Sequence, residues 1–261
     1  MIKNMQPFLS VVIPSFNEKR NLSRGVLDQV LEYLEQQKYS WELLLSDDGS
    51  TDGTITELQK FATRNKNIRV IQNIHAGKAP TVKSGMLAAK GQWRLFADFD
   101  QSSPLREVEK LLPWTEQGYD VVIGSREIAG ALRDKEPFHR HMMGKVFNVV
   151  VQALAVPGIH DTQCGFKLLS GAATEVLFNQ LVVYGGQEQR KDAFTGAFDV
   201  ELLYLALKNG FRIKEVPVFW AYNETVRVSP LKDSFRMFRD ILRIRLASLS
   251  GKYAKKETAQ V

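Results

Sequence analysis

Cysteine is nearly absent from this chain, in which Cys164 is the single example among 261 residues. One cysteine excludes an internal disulfide and any cysteine cluster for zinc, so a reducing compartment is expected. No neighbouring base marks Cys164 as a nucleophile, and we expect it to be a small packing residue. The four histidines show no metal-ligand spacing, so they give no support to a histidine-bound metal.

The sequence also lacks a long apolar run. Spanning a bilayer takes roughly 20 apolar residues, and the nearest candidate, "VFNVVVQALAVPGI", is interrupted by Asn148, Gln152 and Pro157. The N-terminal "MIKNMQPFLSVVIP" resembles a first strand more than a signal peptide, because no small-residue cleavage site follows a long apolar segment. The fingerprints G-x-G-x-x-G after the first strand and G-x-x-x-x-G-K-[ST] are both missing, which gives no support to a dinucleotide or P-loop fold.

The positive and negative charges before Arg227 cancel, so that part of the chain has no net charge. The total is +6, and the stretch from Arg227 to the C-terminus carries all of it, with nine Lys or Arg and three acids. Within this stretch, "PLKDSFRMFRDILRIRLASL" predicts an amphipathic helix whose basic residues lie about 100° from an apolar face. The apolar face comprises Leu231, Phe235, Phe238, Leu242, Leu246 and Leu249, and the basic flank comprises Lys232, Arg236, Arg239 and Arg243.

Two interpretations of this helix stay open. It can lie on an anionic membrane surface, or it can pack its apolar face on the rest of the protein and leave its basic flank in water. Nucleic-acid binding is not expected, because the aromatic residues belong to the apolar face and form no stacking platform. We expect two parts of the chain: a main domain, residues 1–228, and a basic amphipathic C-terminal helix and tail, residues 229–261.

Strand and helix patterns alternate along the main domain. Five apolar runs predict strands: "FLSVVIPSF", "WELLLSD", "IRVIQN", "QWRLFADFD" and "YDVVIGSR". The segment "NEKRNLSRGVLDQVLEYLEQQ" predicts one long helix, and "TVKSGMLAAKG" and "PLREVEKLLPWTEQG" predict two more. This alternation predicts an α/β fold, with a mostly parallel sheet and helices on both of its faces.

After Arg126 the pattern loosens. The polar segment "EIAGALRDKEPFHRHMMG" predicts a mobile loop, followed by a helix over Lys145–Ala155 and a loop, "PGIHDTQCGFK". A helix, "AFDVELLYLALKNG", and a strand, "FRIKEVPVFW", complete the main domain.

Five polar motifs fall at the carboxyl ends of the predicted strands. They are "SFNE", "DDGSTD", "HAGK", "DFD" and "GSR". In parallel α/β sheets, ligands bind outside the carboxyl ends of the strands. The shared placement of these motifs therefore predicts one composite active site.

Asp98 and Asp100 form a D-x-D pair at the end of the fourth predicted strand. Two hard oxygen donors suit Mg²⁺ or Mn²⁺, which favour few carboxylates together with phosphate oxygens. The alternative role is a helix cap, but we expect Ser103 to be the cap, which leaves both aspartates available for a ligand.

Three further groups are candidate ligands for a nucleotide. Asp47 and Asp48 can accept a hydrogen bond from a base N–H or from ribose hydroxyls, although acids of this kind also build turns. Lys78 can neutralise a diphosphate or remain a solvated loop residue. Arg126 suits an anion because its planar fork matches phosphate.

These motifs occur in an order that resembles the family-2 glycosyltransferases, and within that group the dolichyl- or polyprenyl-phosphate glucosyl- and mannosyltransferases. The resemblance runs from about Leu9 to Arg245. It rests on "VVIPSFNE", "SDDGSTDGT", "HAGKAPTVKSGMLAAKG", "FADFDQSSP", "VVIGSR", "DTQCGFK", "FDVELL" and "EVPVFW".

The resemblance implies a GT-A, Rossmann-like fold, a nucleotide-sugar donor and a divalent metal. It places Pro14, Phe16, Glu18, Asp47 and Asp48 around the nucleoside, and Asp98 and Asp100 on the metal and diphosphate, with Lys78 nearby. It implies that Arg126 and Arg140 hold the acceptor phosphate or the donor, and that Gln163 and the segment around Asp199 and Glu201 shape the sugar side. At two places the chain departs from the family: Gln101-Ser102 follows the D-x-D pair directly, and Arg227 and Ser229 stand in for a G-x-S-K motif.

The resemblance further implies a metal-dependent, inverting hexosyltransferase. It would use UDP-glucose or GDP-mannose and a polyprenyl or dolichyl phosphate, and lie peripherally on the cytoplasmic face of a membrane. The alternatives are a family-2 transferase with a soluble or glycan acceptor, a sugar nucleotidyltransferase, and a non-catalytic membrane-associated scaffold. A nucleotidyltransferase needs an early glycine-rich loop, and "PSFNEKRN" contains no glycine.

Overall fold

A computed structural model of the chain describes residues 6–134, 138–186, 196–222 and 230–253. Within these ranges the strands are β1 (Leu9–Ser15), β2 (Trp41–Asp47), β3 (Ile68–Gln72), β4 (Trp93–Ala97), β5 (Val121–Ser125), β6 (Leu132–Arg133), β7 (Phe166–Ser170), β8 (Ile213–Pro217) and β9 (Phe219–Trp220). Seven of these form one sheet in the order β3-β2-β1-β4-β7-β5-β8, and β6 pairs with β9 in a small second sheet. Within the large sheet only β7 is antiparallel to its neighbours, β4 and β5, so the predicted mostly parallel sheet is confirmed.

Helices cover both faces of the sheet, as the strand–helix alternation predicts. They are α1 (Lys19–Ser23), α2 (Val26–Glu35), α3 (Thr54–Ala62), α4 (Lys78–Ala88), α5 (Val108–Thr115), α6 (Phe138–Leu154), α7 (Gly171–Gln180), α8 (Phe198–Lys208) and α9 (Pro230–Leu249). Val12 of β1 joins the apolar core formed with α4 and α6 to α9. Its neighbours Val11 and Ile13 join the core formed with α2, α3 and α5, because successive side chains of a strand point to opposite faces.

Three sequence predictions about elements are wrong. The predicted first long helix is two helices, α1 and α2, since Gly25 adopts a left-handed φ of 70° between them. Helix α6 begins at Phe138, inside the predicted mobile loop. Strand β7 and helix α7 are missing from the sequence predictions. The strand has five residues and contains the charged Lys167, so its sequence is typical of a loop.

Cys164 is buried and carries a free thiol. Burial raises the pKa of this thiol to about 12, and Asp161 adds to the effect. The Cys164 side chain belongs to the apolar core formed with α2, α3 and α5, which confirms the expected packing role.

Helix α9 has two apolar faces, of which the sequence pattern identified one. Ile241, Ile244 and Ala247 are buried in the core, whereas five residues of the predicted apolar face are exposed. Their exposed fractions are 72% for Phe235, 40% for Phe238, 41% for Leu242, 64% for Leu246 and 79% for Leu249. We call these five residues the α9 apolar stripe. Because they are exposed, the interpretation that the predicted apolar face packs on the rest of the protein is wrong for them.

The division of the chain at residues 228 and 229 falls outside the described residues and stays a prediction. Among the helices of the described ranges, none combines the length and the apolar character needed to cross a membrane.

A fully buried ion pair joins β7 to α8. Lys167 donates from Nζ to Oδ1 of Asp199 over 2.6 Å, and neither side chain is more than 6% exposed. The ammonium also lies 5.4 Å from the ring centroid of Phe96. A lysine inside a sheet is tolerated here because the carboxylate and the ring replace the water that it loses.

We expect Lys167→Met to lower the free energy of unfolding by about 3–5 kcal/mol, because it leaves the Asp199 charge buried without its partner. The matched control is Arg64→Met, which removes an ion pair with Asp28 whose side chains are 50% and 56% exposed, and which should cost less than about 1 kcal/mol. Urea denaturation measures both values. Equal losses for the two variants would contradict this account of the buried pair.

Candidate active site

The polar motifs meet at the carboxyl edge of the large sheet. Asn17 follows β1 and Gln101 follows β4, and both adopt left-handed backbone angles, with φ of 54° and 49°. In the described part of the chain these are the two non-glycine residues with positive φ. Backbone strain of this kind is common at functional sites, so its position here agrees with the predicted composite site.

Asp98 occupies the centre of this edge. Lys78 donates from Nζ to Oδ1 of Asp98. The Asp98 backbone N–H donates to the carbonyl oxygen of Gly165 over 3.0 Å, so the residue that precedes β7 lies directly against the aspartate. A Cβ atom on Gly165 would lie 2.0 Å from Oδ2 of Asp98, and only glycine therefore leaves room for the carboxylate.

Lys78 is the first residue of α4, so the alternative that it is a solvated loop residue is wrong. Its ammonium is flanked by carboxylates. Burial alone would lower the pKa of Lys78, but the nearby charges of Asp98, Asp199 and Asp100 outweigh it, and the pKa is raised. Lys78 is therefore held in its charged form by the acids around it.

For the Asp100 carboxyl, unlike the Lys78 ammonium, burial and the neighbouring acid shift the pKa in the same direction. Burial and the neighbouring charge of Asp98 raise the pKa of the Asp100 carboxyl, although Lys78 partly offsets them. Two carboxylates at one strand end share one nearby ammonium, so an added cation would be stabilised there.

The expected cap at Ser103 is wrong. The short 3₁₀ helix Leu105–Glu107 has no side-chain cap, and in the described structure the Ser103 hydroxyl is buried without a hydrogen-bond partner. Instead, Oδ1 of Asp100 accepts from the Ser102 backbone N–H over 3.0 Å. The second aspartate of the pair thus also shapes the turn after β4.

Asp47 and Asp48 close two different loops. Asp47 accepts from the backbone N–H of Ser50 over 2.9 Å and from its hydroxyl over 2.6 Å. Asp48 accepts from the backbone N–H of Ala76 over 2.9 Å and from that of Gly77 over 3.0 Å. The adjacent acids are tolerated because each has its own donors, and both contribute to turns as well as to the candidate nucleoside site.

His75 is a site residue that the sequence did not reveal. Its ring stacks on Phe16, with centroids 4.2 Å apart and planes 6° from parallel. Its Nδ1 lies 2.9 Å from Oδ2 of Asp48. Histidine spacing carried no signal here, and the only sequence cue was its place at the start of the "HAGK" motif.

Arg126 forms a bidentate pair with Asp161. Nε and Nη2 of Arg126 lie 2.7 and 2.8 Å from the two oxygens of Asp161, and the Arg126 backbone N–H donates to the same carboxylate. Burial would raise the pKa of Asp161, but Arg126 holds it below its usual range. Trp220 lies 5.4 Å from the guanidinium, so the fork expected to hold an anion already has a protein partner.

Asp161 itself was not among the candidate residues, although it begins the "DTQCGFK" motif. Two other candidates, Arg227 and Ser229, lie outside the described residues. Arg140 lies on α6, and the described part of the structure does not include its side chain.

The remaining candidates differ in their surroundings. Pro14 lies within the buried strand β1, and Glu18 accepts from the side-chain amide of Asn21 over 2.6 Å. Nε2 of Gln163 is buried and has no hydrogen-bond partner within the described ranges. Glu201 accepts from the backbone N–H groups of residues 182–184 and from the Tyr253 hydroxyl, so its contacts anchor a loop and the end of the described chain.

In the ranges that the structure describes, no three His, Cys, Asp or Glu side chains are grouped so as to hold a metal ion. The assignment of Asp98 and Asp100 to a divalent metal stays a prediction.

Comparison with known proteins places the chain in a family. The family model described as "Glycosyl transferase family 2" matches residues 10–178. The chain therefore belongs to glycosyl transferase family 2, and it is a glycosyltransferase.

Similar curated proteins include three dolichyl-phosphate beta-glucosyltransferases. The chain is 32% identical to that of Dictyostelium discoideum over 96% of its own length and 79% of the relative's. Identity to the Mus musculus protein is 34%, over 96% of this chain and 78% of the relative. For the Homo sapiens protein it is 33%, over 97% and 79%.

Solved structures show the same fold. Glucosyl-3-phosphoglycerate synthase from Mycobacterium tuberculosis, in complex with Mn²⁺ and UDP, matches with a TM-score of 0.57 and 19% identity, over 94% of this chain and 80% of that one. A mannosyltransferase from Pyrobaculum calidifontis, in complex with GDP-Man and Mn²⁺, matches with a TM-score of 0.54 and 17% identity, over 97% and 77%. The expected GT-A, Rossmann-like fold is confirmed.

We expect Gly165→Ala to lower the rate of sugar transfer by about 100-fold, because its Cβ displaces the Asp98 carboxylate and small misplacements at a reacting centre have effects of this size. Gly144→Ala on α6 is the matched control, because a Cβ there meets nothing within 4 Å. Thermal unfolding of both variants separates loss of the site from loss of the fold. A folded Gly165→Ala enzyme with the wild-type rate would contradict the role given to Asp98.

Proposed function

We propose that the protein transfers glucose from UDP-glucose to dolichyl or another polyprenyl phosphate, with inversion at the anomeric carbon. The observation that carries this proposal is the pair Asp98 and Asp100 with Lys78, placed at the sheet edge where parallel α/β folds bind ligands. The curated relatives named above support glucose and dolichyl phosphate. Their name specifies a β product, and UDP-glucose carries an α-linked sugar, so inversion follows.

Asp98 and Asp100 would hold a divalent cation, Mg²⁺ or Mn²⁺, in this reaction. The residues fit such an ion, because both offer hard oxygen donors at one strand end, where burial and the charge of Asp98 raise the pKa of Asp100. The bound ion would screen the diphosphate and stabilise the leaving nucleotide. The two structural neighbours are complexes with Mn²⁺, which supports a divalent cation in this reaction.

The chain's own residues supply positioning and charge. Lys78 lies beside Asp98 and can donate to a diphosphate oxygen, since an ammonium has three donors and the bond to Asp98 uses one. Phe16 and Asp48 would bind the uracil. The acceptor phosphate is ionised at neutral pH, so no general base is needed, and catalysis rests on orientation and electrostatic stabilisation.

The α9 apolar stripe supports a lipid acceptor. At 100° per residue the stripe occupies a sector of about 80°, and its centre lies about 160° from that of the buried face formed by Ile241, Ile244 and Ala247. Arg239 and Arg243 project along one border of the stripe and Arg245 along the other. The Arg239 and Arg243 side chains are 62% and 53% exposed.

This arrangement is typical of a helix in the plane of a membrane. One face packs on the protein, the opposite face enters the lipid, and arginines at the borders meet anionic headgroups. We therefore place the protein peripherally on the membrane, with α9 as its contact. The single cysteine and the nucleotide-sugar donor favour the cytoplasmic face of the membrane.

The test of membrane contact is flotation with phosphatidylcholine vesicles, with and without 30% phosphatidylglycerol. Binding should require the anionic lipid and weaken with salt. Leu246→Asp should reduce binding by about tenfold or more, because burying a leucine contributes roughly 1.5–3 kcal/mol. Leu207→Asp on α8, where the leucine is 39% exposed, is the matched control and should bind as the wild type does.

Two outcomes would contradict membrane contact through α9. One is absence of wild-type binding to anionic vesicles at low salt. The other is a lipid-free dimer that Leu246→Asp dissociates in sedimentation velocity, since the stripe would then cover a second copy of the chain.

The test of the reaction is product formation from UDP-glucose or GDP-mannose, with Mn²⁺ and with or without dolichyl phosphate. We expect glucosyl-phosphoryl dolichol from UDP-glucose and little product from GDP-mannose. Asp100→Asn should lower the rate by about 100-fold or more, because a metal ion supplies several kcal/mol of transition-state stabilisation. Asp28→Asn, which changes an exposed ion pair between α2 and Arg64, is the control.

Transfer to a soluble sugar or glycan, but not to dolichyl phosphate, would replace the proposed acceptor. Full activity without a divalent cation, or in Asp100→Asn, would contradict the role of the carboxylate pair. Absence of both transfer and donor hydrolysis would favour a non-catalytic scaffold.

A further inference from the structure

The stacked pair of Phe16 and His75 lies at the candidate nucleoside site. A flat ring with a nitrogen facing the Asp48 carboxylate lies parallel to the phenyl ring, 4.2 Å away. This spacing leaves no room for a third ring between them. A nucleobase that stacked on this face of Phe16 and donated a ring N–H to Asp48 would occupy the volume of the imidazole.

The backbone beneath His75 is firmly held. The next two residues, Ala76 and Gly77, donate their backbone N–H groups to Asp48. A Cβ on Gly49 would lie 2.9 Å from the backbone nitrogen of His75, so the turn after β2 packs directly against it. The loop can therefore stay in place while the side chain of His75 rotates.

The side chain has weaker attachments than the backbone. Its polar and ring contacts in the described structure are the hydrogen bond to Asp48 and the stack on Phe16, and it is 22% exposed. Rotation about the side-chain bonds of His75 would free one face of Phe16 and one lone pair of Asp48 together. A base with a ring N–H can then make both contacts.

We propose that the His75 ring is an internal substitute for the base of the donor. The ring fills the uracil position in the free enzyme and rotates out of it when the nucleotide binds. The inference rests on the proposed function, because it takes a uridine donor. It also gives a basis for selectivity. Uracil presents a ring N–H at N3, whereas cytosine presents an acceptor there, and bicyclic guanine is larger than the imidazole that it would replace.

The test is calorimetric titration of UMP, CMP and GMP into the wild type and into His75→Ala. Removing the competing ring should tighten UMP binding by about tenfold, because a closed state lowers apparent affinity in proportion to its population. The gain for CMP and GMP should be smaller. His75→Phe, which keeps the stack, should bind UMP no more tightly than the wild type.

His160→Ala is the matched control. His160 also places Nδ1 beside a carboxylate, 3.1 Å from Oε2 of Glu215, but on another loop, and its loss should leave UMP affinity unchanged. Weaker UMP binding by His75→Ala would overturn the proposal and make His75 a wall on which the base stacks. Unchanged binding, or an equal gain for CMP, would overturn it as well.

The result also separates this inference from the proposed function. Tighter UMP binding by His75→Ala, with no glucose transfer by the wild type, would support the inference and contradict the reaction. If neither protein bound any of the three nucleotides, both proposals would be overturned.

Discussion

Asp98 and Asp100 concentrate two carboxylates at the end of β4 against the ammonium of Lys78, and much of the surrounding structure accommodates that charge. Gly165 leaves room for the Asp98 carboxylate, which a Cβ would meet at 2.0 Å. Helix α4 begins at Lys78, which delivers the ammonium to Asp98. Burial and the neighbouring charge of Asp98 raise the pKa of Asp100, and Lys78 offsets this effect in part. We propose that this site receives a divalent cation together with a diphosphate.

Much of this edge could be predicted from the sequence. Parallel strands end at one edge, so motifs that follow successive strands had to meet there. The partners of the side chains could not be predicted in this way. Asp161 lies 35 positions from Arg126, and His75 lies 27 positions from Asp48. No local pattern encodes such pairs, because they depend on how the loops pack.

Helix α9 shows a second limit of periodicity. Its strongest apolar pattern is the α9 apolar stripe, yet the core takes Ile241, Ile244 and Ala247 instead. A helical period predicts an apolar face, but it does not say what covers that face. Strand β7 is also hard to predict from local sequence, because it has five residues. It is defined by its pairing with β4 and β5 on either side.

The most direct test of the central claim is a crystal of the protein grown with Mn²⁺ and UDP, with data collected at the manganese absorption edge. The account predicts an anomalous peak within about 2.3 Å of a carboxylate oxygen of Asp98 or Asp100, with the remaining positions filled by diphosphate and water oxygens. A manganese peak distant from both aspartates, with UDP bound, would contradict it.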